Sequence, residues 1–173
     1  TIGHCATAEA GLARRPPMPM HALAAAYAAL DVELRAARLF QTGATAVTVY
    51  CHADPHVAGR RVLTTANVGD ARAFLCRAGR PLRRSVDHRA GDLAERQRIE
   101  SAGGFVLAKR VNGVLEVSRA LGDHSLKSVV VCTPSLRETV LCEADEFLIL
   151  ACDGLWDWID DEAAVALASD AFD

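Results

Sequence analysis

The feature that most limits the fold of this chain is a pair of apolar, β-branched segments that are separated only by a Gly-Asp pair. Residues 61–68 and 71–77 have the pattern of strands, and Gly69 and Asp70 lie between them. Gly-Asp is typical of a tight turn, because glycine adopts backbone conformations that other residues avoid. So short a connection favours an antiparallel pair, since parallel strands need a crossover of a dozen or more residues. The sequence therefore predicts an antiparallel hairpin that carries a carboxylate at the mouth of a sheet.

The remaining segments alternate between helical and extended patterns. Helical spacing predicts helices over residues 21–40 and 92–102, and a last helix that Asp160 or Asp161 caps. The apolar run at 147–151 predicts a buried strand. Shorter elements are strands at 44–50, 105–107 and 114–117, a loop at 52–59, and turns at 79–81 and 112–113. Strands punctuated by helices, with no repeat or internal linker, predict one α+β layered sandwich over residues 1–173.

Bulk composition is that of an ordinary globular domain. Apolar residues make up 51% and charged residues 24% of the 173 residues, close to the averages for such proteins. The formal net charge of -3 gives no electrostatic reason to expect binding to nucleic acid or to an anionic membrane. The apolar run at residues 147–152 is far too short to span a bilayer. We therefore expect neither nucleic acid nor membrane as a partner.

Cysteine usage favours a reducing compartment. The six cysteines include no C-x-x-C pair, and several lie in apolar segments. We expect them to be small buried residues and not partners in disulfides. We expect no secretory signal before the body of the chain. A cytoplasmic or nuclear location is the expectation that follows.

A second acidic turn follows the strand predicted at 147–151. Asp153 comes just after this strand, and Asp157 lies four residues further on, so one helical turn returns it to the same side. With Asp70, these make three carboxylates that would repel one another at one sheet edge unless a divalent cation is bound. Hard oxygen ligands favour Mg²⁺, Mn²⁺ or Ca²⁺. Each turn alone fits an ordinary turn or helix cap as well, so the residues alone leave a divalent site open.

An ordered series of motifs resembles the type 2C metal-dependent protein phosphatases. The central blocks are Asp87-His88, 95–104 (Glu-Arg-Gln-Arg-Ile-Glu-Ser-Ala-Gly-Gly), 110–113 (Arg-Val-Asn-Gly) and 117–123 (Val-Ser-Arg-Ala-Leu-Gly-Asp). Blocks at 42–46 and 66–72 precede them, and the block at 145–157, which contains Cys-Asp-Gly-Leu-Trp-Asp, follows them. The blocks occur in the family's order over about residues 42–165. A single block carries little weight, but an ordered series of this length is not expected by chance.

The resemblance implies two packed antiparallel sheets flanked by helices, a four-layer αββα arrangement that is incomplete in this chain. It also implies hydrolysis of phosphoserine and phosphothreonine in phosphorylated protein substrates. Asp153 would bind a catalytic pair of Mg²⁺ or Mn²⁺ ions, and Asp70 and Asp157 would bind an outer, weaker ion. The metals would bridge a water, lower its pKa and aim it at phosphorus. No covalent phosphoenzyme is implied, so the cysteines are not expected to act as nucleophiles.

Two parts of the family pattern are missing. The family has an Asp-Gly-His-Gly motif near its start, for which the candidate here is the segment at residues 2–5. In that alignment Ile2 replaces the bridging Asp, Gly3 offers a carbonyl ligand and His4 a proton donor; alternatively, the chain begins just after the true motif. The family's late Asp-Asn pair has no counterpart before Asp173. Two hypotheses therefore stand: an Mg²⁺- or Mn²⁺-dependent phosphatase seen without its ends, or an inactive scaffold that holds a protein partner.

Five residues near these motifs are expected to have structural and not catalytic roles. Arg119 and Asp123 are predicted to form a local ion pair that braces a loop. His88 is predicted to make hydrogen bonds in a turn and not to shuttle protons. Trp156 and Trp158 are predicted to pack beside the acidic turn.

Overall fold

The computed structural model describes residues 19–172 and shows helices alternating with groups of strands. The helices are α1 (Pro19–Ala36), α2 (Leu93–Ser101), α3 (Asp153–Trp156) and α4 (Asp161–Phe172). The strands are β1 (Gly43–Ala44), β2 (Ala46–Ala53), β3 (Arg61–Val68), β4 (Arg72–Arg77), β5 (Arg80–Arg83), β6 (Val106–Leu107), β7 (Arg110–Val111), β8 (Leu121–Gly122), β9 (Ser135–Val140) and β10 (Asp145–Ala151). A short 3₁₀ turn spans His124–Leu126. All pairings between these strands are antiparallel.

Two three-stranded sheets form the body of the described chain. In the first sheet β3 lies between β2 and β9, and in the second β4 lies between β10 and β5. β2 packs against β4, and Arg84, the residue after β5, donates a hydrogen bond of 3.1 Å from Nη1 to Thr139 Oγ1 of β9. β3 is buried from Val62 to Val68, as expected for a strand covered on both faces.

Helices cover the outer faces of the two sheets. On the first sheet, Tyr27 of α1 packs against Ala66 and Val68, and its hydroxyl donates to the Ala66 carbonyl at 3.0 Å. On the second sheet, Phe74 packs against Trp156 and Ala164 of α3 and α4. The order is helix, sheet, sheet, helix, so the predicted α+β antiparallel sandwich is confirmed.

Some boundaries differ from those predicted. The first helix ends at Ala36 and not at residue 40, because Arg38 adopts a left-handed backbone with φ of 61°. The strand predicted at 114–117 is wrong: this segment makes isolated bridges only. The hairpin of β6 and β7 instead turns at Ala108 and Lys109, both of which have positive φ.

The strand β5 replaces most of a predicted turn at 79–81. The turn itself is made by Ala78 and Gly79, with φ of 51° and 68°. Pro81 then lies in β5, at the edge of its sheet, where a residue without an N–H group is tolerated. Gly and Pro therefore predicted a turn in this region, but the observed turn begins one residue earlier than the predicted one.

The cysteines are less buried than predicted. All five that lie in the described part of the chain are free thiols. Cys76 is buried and Cys132 is half-buried, whereas Cys51, Cys142 and Cys152 are exposed. The expectation of burial is therefore wrong for these three. None of the helices within residues 19–172 combines the length and apolar character that a bilayer crossing requires.

Candidate functional site

Antiparallel pairing of β4 and β10 brings the two acidic turns to the same end of one sheet. Ala151, the last residue of β10, lies opposite Arg72, the first residue of β4. The turn before β4 therefore lies beside the residues that follow β10, although they are far apart in sequence. Burial raises the pKa of Asp70, and the negative charge of the nearby Asp153 adds to this rise. The structure thus brings the predicted carboxylates to one rim of the sandwich, while their role as ligands stays a prediction.

The turn that holds Asp70 is fixed by its neighbours. Gly69 has φ of 80°, and a Cβ atom at this position would lie 2.2 Å from Cγ2 of Thr45. The Gly69 carbonyl accepts a hydrogen bond of 3.0 Å from the His88 N–H. Asp70 follows with only 6% of its surface exposed. Its carboxylate is therefore held at a defined and largely desolvated position.

A single helical turn, α3, places Asp153 and Asp157 on the same side. The Asp157 N–H donates to the Asp153 carbonyl at 2.9 Å. Trp156 anchors this turn, because its Nε1–H donates to the Ala151 carbonyl at 2.7 Å and its ring meets Phe74 edge-on at 5.1 Å. The predicted packing role of Trp156 is confirmed. The same prediction for Trp158 is wrong, since this residue is 86% exposed.

A guanidinium that sequence reasoning missed joins two of these carboxylates. Arg89 Nη2 lies 3.2 Å from Oδ2 of Asp70 and 3.8 Å from Oδ1 of Asp157. Burial raises the pKa of Asp70, the Arg89 charge lowers it, and Asp153 raises it again, with a net upward shift. Arg89 directly follows the Asp87-His88 motif, so its place in the sequence was the one available signal.

Asp87 lies beside this rim but is already compensated by other arginines. Arg72 directs Nε and Nη2 at its carboxylate at 3.1 Å and 2.9 Å, and Arg83 also pairs with it. Arg72 also lies 3.6 Å from Asp161 and over the ring of Trp156. Such fork-like pairing leaves Asp87 little capacity to bind a further cation. Asp87 is therefore not a candidate metal ligand.

The three candidate carboxylates fit a hard divalent cation by chemistry. Asp70, Asp153 and Asp157 offer oxygen ligands, which Mg²⁺ and Mn²⁺ prefer. The only guanidinium that contacts Asp70 within residues 19–172 is that of Arg89, which leaves more negative than positive charge at the rim. As the side chains stand, no three His, Cys, Asp or Glu residues of this range are grouped to hold an ion. A metal site at this rim therefore stays a prediction.

A second buried network braces the structure behind the rim. Glu95 pairs with Arg119 and Arg98 and accepts a hydrogen bond of 2.6 Å from Ser118 Oγ. The predicted pair between Arg119 and Asp123 is therefore wrong, because Glu95 is the partner of Arg119. Burial penalises the charged carboxylate, but these partners outweigh it and lower the pKa of Glu95 to about 2.

His88 has the structural role predicted for it. Its Nε2 lies 2.7 Å from Ser135 Oγ. Burial, together with the nearby Arg119 charge, lowers the pKa of His88 to about 4, so the ring is neutral at physiological pH. The other predicted site residues, Gly3 and His4, and the departure at Ile2 lie outside the described residues.

Known proteins are similar to this chain in sequence and in fold. The family model described as Protein phosphatase 2C matches residues 9–173. Protein phosphatase 2C homolog 1 of Saccharomyces cerevisiae is 50% identical over 111 residues, which are 64% of this chain and 40% of the relative. Probable protein phosphatase 2C 59 of Oryza sativa subsp. japonica is 46% identical over 158 residues, 88% of this chain and 46% of the relative. The chain thus spans less than half the length of these relatives.

Solved structures agree with the sandwich described above. A structure described as that of a C. elegans sex determining protein has a TM-score of 0.78 at 26% identity, over 91% of this chain and 40% of that one. Serine-threonine phosphatase 2C from Toxoplasma gondii has a TM-score of 0.74 at 23% identity, over 87% of this chain and 55% of that one. The second likeness supports the fold alone. With a family model that matches nearly the whole sequence, these findings show that the chain belongs to the protein phosphatase 2C family.

Proposed function

We propose that the full-length gene product hydrolyses phosphoserine and phosphothreonine in phosphorylated proteins, with Mg²⁺ or Mn²⁺ bound at the rim of the sandwich. The observation that supports this most is the convergence of Asp70 and Asp157 on one guanidinium, with Asp153 beside them. The resemblance of the surrounding motifs to the family is what supports these three carboxylates as the proposed metal ligands.

Each carboxylate has its own role in this proposal. Asp153 binds the catalytic pair of ions, and Asp70 and Asp157 bind the outer ion. When bound, the ions supply an activated water and neutralise charge on the phosphoryl oxygens. The chain holds these ligands in place through the Gly69 turn and the Trp156 anchor. Gly3 and His4 remain proposed as a carbonyl ligand and a proton donor.

Electrostatics give an independent reason to expect a cation. Asp70 is buried next to a second carboxylate, and its pKa is raised. A bound divalent cation would reverse this shift by favouring the ionised form. The sequence feature that opposes the proposal is Ile2, which favours the inactive scaffold if it replaces the bridging carboxylate.

The test is Asp153→Asn in the full-length gene product, with Asp170→Asn on the exposed face of α4 as the matched control. We expect Mn²⁺-dependent hydrolysis of a phosphothreonine peptide to be abolished by the first substitution and retained in the second. Circular dichroism and thermal unfolding should show that both variants fold. Undiminished turnover in Asp153→Asn would contradict the assigned role. A folded wild-type protein with neither turnover nor manganese uptake would support the scaffold.

A further inference from the structure

Arg89 places a positive charge among the carboxylates to which the proposed function assigns a metal. We propose that Arg89 is a built-in counter-ion, which compensates Asp70 and Asp157 when the outer cation is absent and is displaced when that cation binds. This inference rests on the proposed function for the identity of the ion. It adds a residue that controls how readily the outer site is filled.

The buried carboxylate of Asp70 needs a positive charge close to it. Its carboxylate is buried, and a buried ionised group without a partner is strongly destabilising. Within the described residues its ion-pair partner is Arg89, at 3.2 Å. Asp87 and Asp153 add negative charge nearby. Without Arg89 or a metal ion, this corner of the sandwich would therefore hold an uncompensated buried charge.

The Arg89 side chain is held loosely at the rim. Its Nε is buried but finds no hydrogen-bond acceptor in the described part of the chain, and the nearest carboxylate oxygen, on Asp87, is 4.0 Å away. Arg72, by contrast, pairs with Asp87 in a fork-like geometry. The Arg89 side chain is also 40% exposed. It can therefore leave the carboxylates and reach solvent at a lower cost than Arg72.

The Arg89 guanidinium and the proposed outer cation exclude each other. Both would contact Asp70 and Asp157, and two positive charges a few ångströms apart repel strongly in a partly desolvated site. Coupling of this kind is reciprocal. If the cation displaces Arg89, removal of the Arg89 charge must strengthen binding of the cation.

The experiment uses Arg89→Gln in the full-length gene product, with Arg96→Gln as the matched control. Arg96 forms an exposed ion pair with Glu100 on α2, at 2.8 Å, and takes no part in the rim. Thermal unfolding is measured in EDTA and in saturating Mn²⁺, and calorimetry measures Mn²⁺ affinity. In EDTA we expect Arg89→Gln to melt roughly 3–6 °C below the wild type. In saturating Mn²⁺ the melting temperatures of Arg89→Gln and the wild type should become equal. The affinity of Arg89→Gln for the outer ion should be about fivefold higher than that of the wild type. Arg96→Gln should match the wild type throughout.

The outcomes separate the inference from the proposed function. A deficit that is the same in EDTA and in Mn²⁺ would make Arg89 merely structural and overturn the inference, as would an unchanged melting temperature in EDTA. An unchanged or weaker Mn²⁺ affinity in Arg89→Gln would also overturn it. A wild-type protein that takes up no Mn²⁺ would contradict the proposed metal site itself, and displacement with it. If the wild type binds Mn²⁺ but Arg89→Gln still melts below it in saturating Mn²⁺, displacement of Arg89 is contradicted and the proposed metal site is not.

Discussion

The carboxylate of Glu95 accepts hydrogen bonds from both Nε and Nη2 of Arg119, a residue 24 positions later in the chain. Arg119 also donates from Nη1 to the Thr133 carbonyl at 3.1 Å. The pair therefore ties α2 to the segment that leads into β8 and onward to β9. Because Glu95 is buried, this connection is an internal clamp of the fold and not a surface ion pair.

Glu95→Gln should destabilise the protein by about 3 kcal/mol, because it leaves the enclosed Arg119 without its counter-charge. Urea unfolding monitored by fluorescence measures this loss. Glu100→Gln, on the same helix but in an exposed pair with Arg96, is the matched control and should cost less than about 0.5 kcal/mol. Equal losses in the two variants would show that the clamp contributes no more than a surface pair.

The stabilisation from Glu95 should also depend on pH. Its pKa falls from an ordinary 4.5 to about 2 in the folded protein. A lowered carboxylate pKa stabilises the fold fully above the unfolded-state value and loses this contribution as pH falls towards the folded-state value. The difference between wild type and Glu95→Gln should therefore be constant above about pH 5.5 and shrink between about pH 4.5 and 2. Urea midpoints across this range test it; a constant difference down to pH 3 would refute it.

The sequence predicted the layered fold but not its internal connections. β3 and β4 were predicted because β-branched runs flank a Gly-Asp turn, and α2 because its period ends at a Gly-Gly pair. The partner of Arg119 could not be predicted from spacing, since a nearby Asp123 and a distant Glu95 are equally acidic. Only the folded chain shows that Glu95 is buried beside it.

Gly69→Ala should destabilise the protein more than a left-handed backbone alone would. A non-glycine residue at φ of 80° costs about 1–2 kcal/mol, and the new methyl would also lie 2.6 Å from Cβ of Thr45, which cannot rotate away. Gly79→Ala is the matched control, because Gly79 has φ of 68° but open space around its Cβ position. Urea unfolding should show at least about 1 kcal/mol more loss at Gly69. Equal losses would mean that the Asp70 turn adjusts freely.

Trp156→Phe should weaken the anchor of the acidic turn. Phenylalanine keeps an aromatic ring for Phe74 but loses the hydrogen bond to the Ala151 carbonyl, with a cost of about 1–2 kcal/mol. Trp158→Phe is the matched control, and with 86% exposure it should stay within about 0.5 kcal/mol of the wild type. Thermal unfolding measures both. A larger loss of stability in Trp158→Phe than in Trp156→Phe would show that Trp156 does not anchor the turn.

The candidate carboxylates were predictable because each follows a strand that the sequence marks clearly. Asp70 follows β3 and Asp153 follows β10, and the pairing of β4 with β10 then brings them together. Arg89 was not predictable by the same logic. It lies in an irregular segment between β5 and α2, and its contacts with Asp70 and Asp157 exist only in the folded chain.

Asp70→Ala and Asp157→Ala should separate the outer ion from the catalytic pair. If these residues bind only the outer ion, each substitution should raise the Mn²⁺ concentration for half-maximal phosphopeptide hydrolysis about 10-fold or more. Turnover at saturating Mn²⁺ should change much less, in contrast to the complete loss expected for Asp153→Asn. Metal titrations of activity in the full-length protein, with Asp170→Ala as control, make the comparison. If either substitution abolished activity at every Mn²⁺ concentration, Asp70 and Asp157 would be ligands of the catalytic pair of ions. Unchanged titration curves would show that they bind no metal.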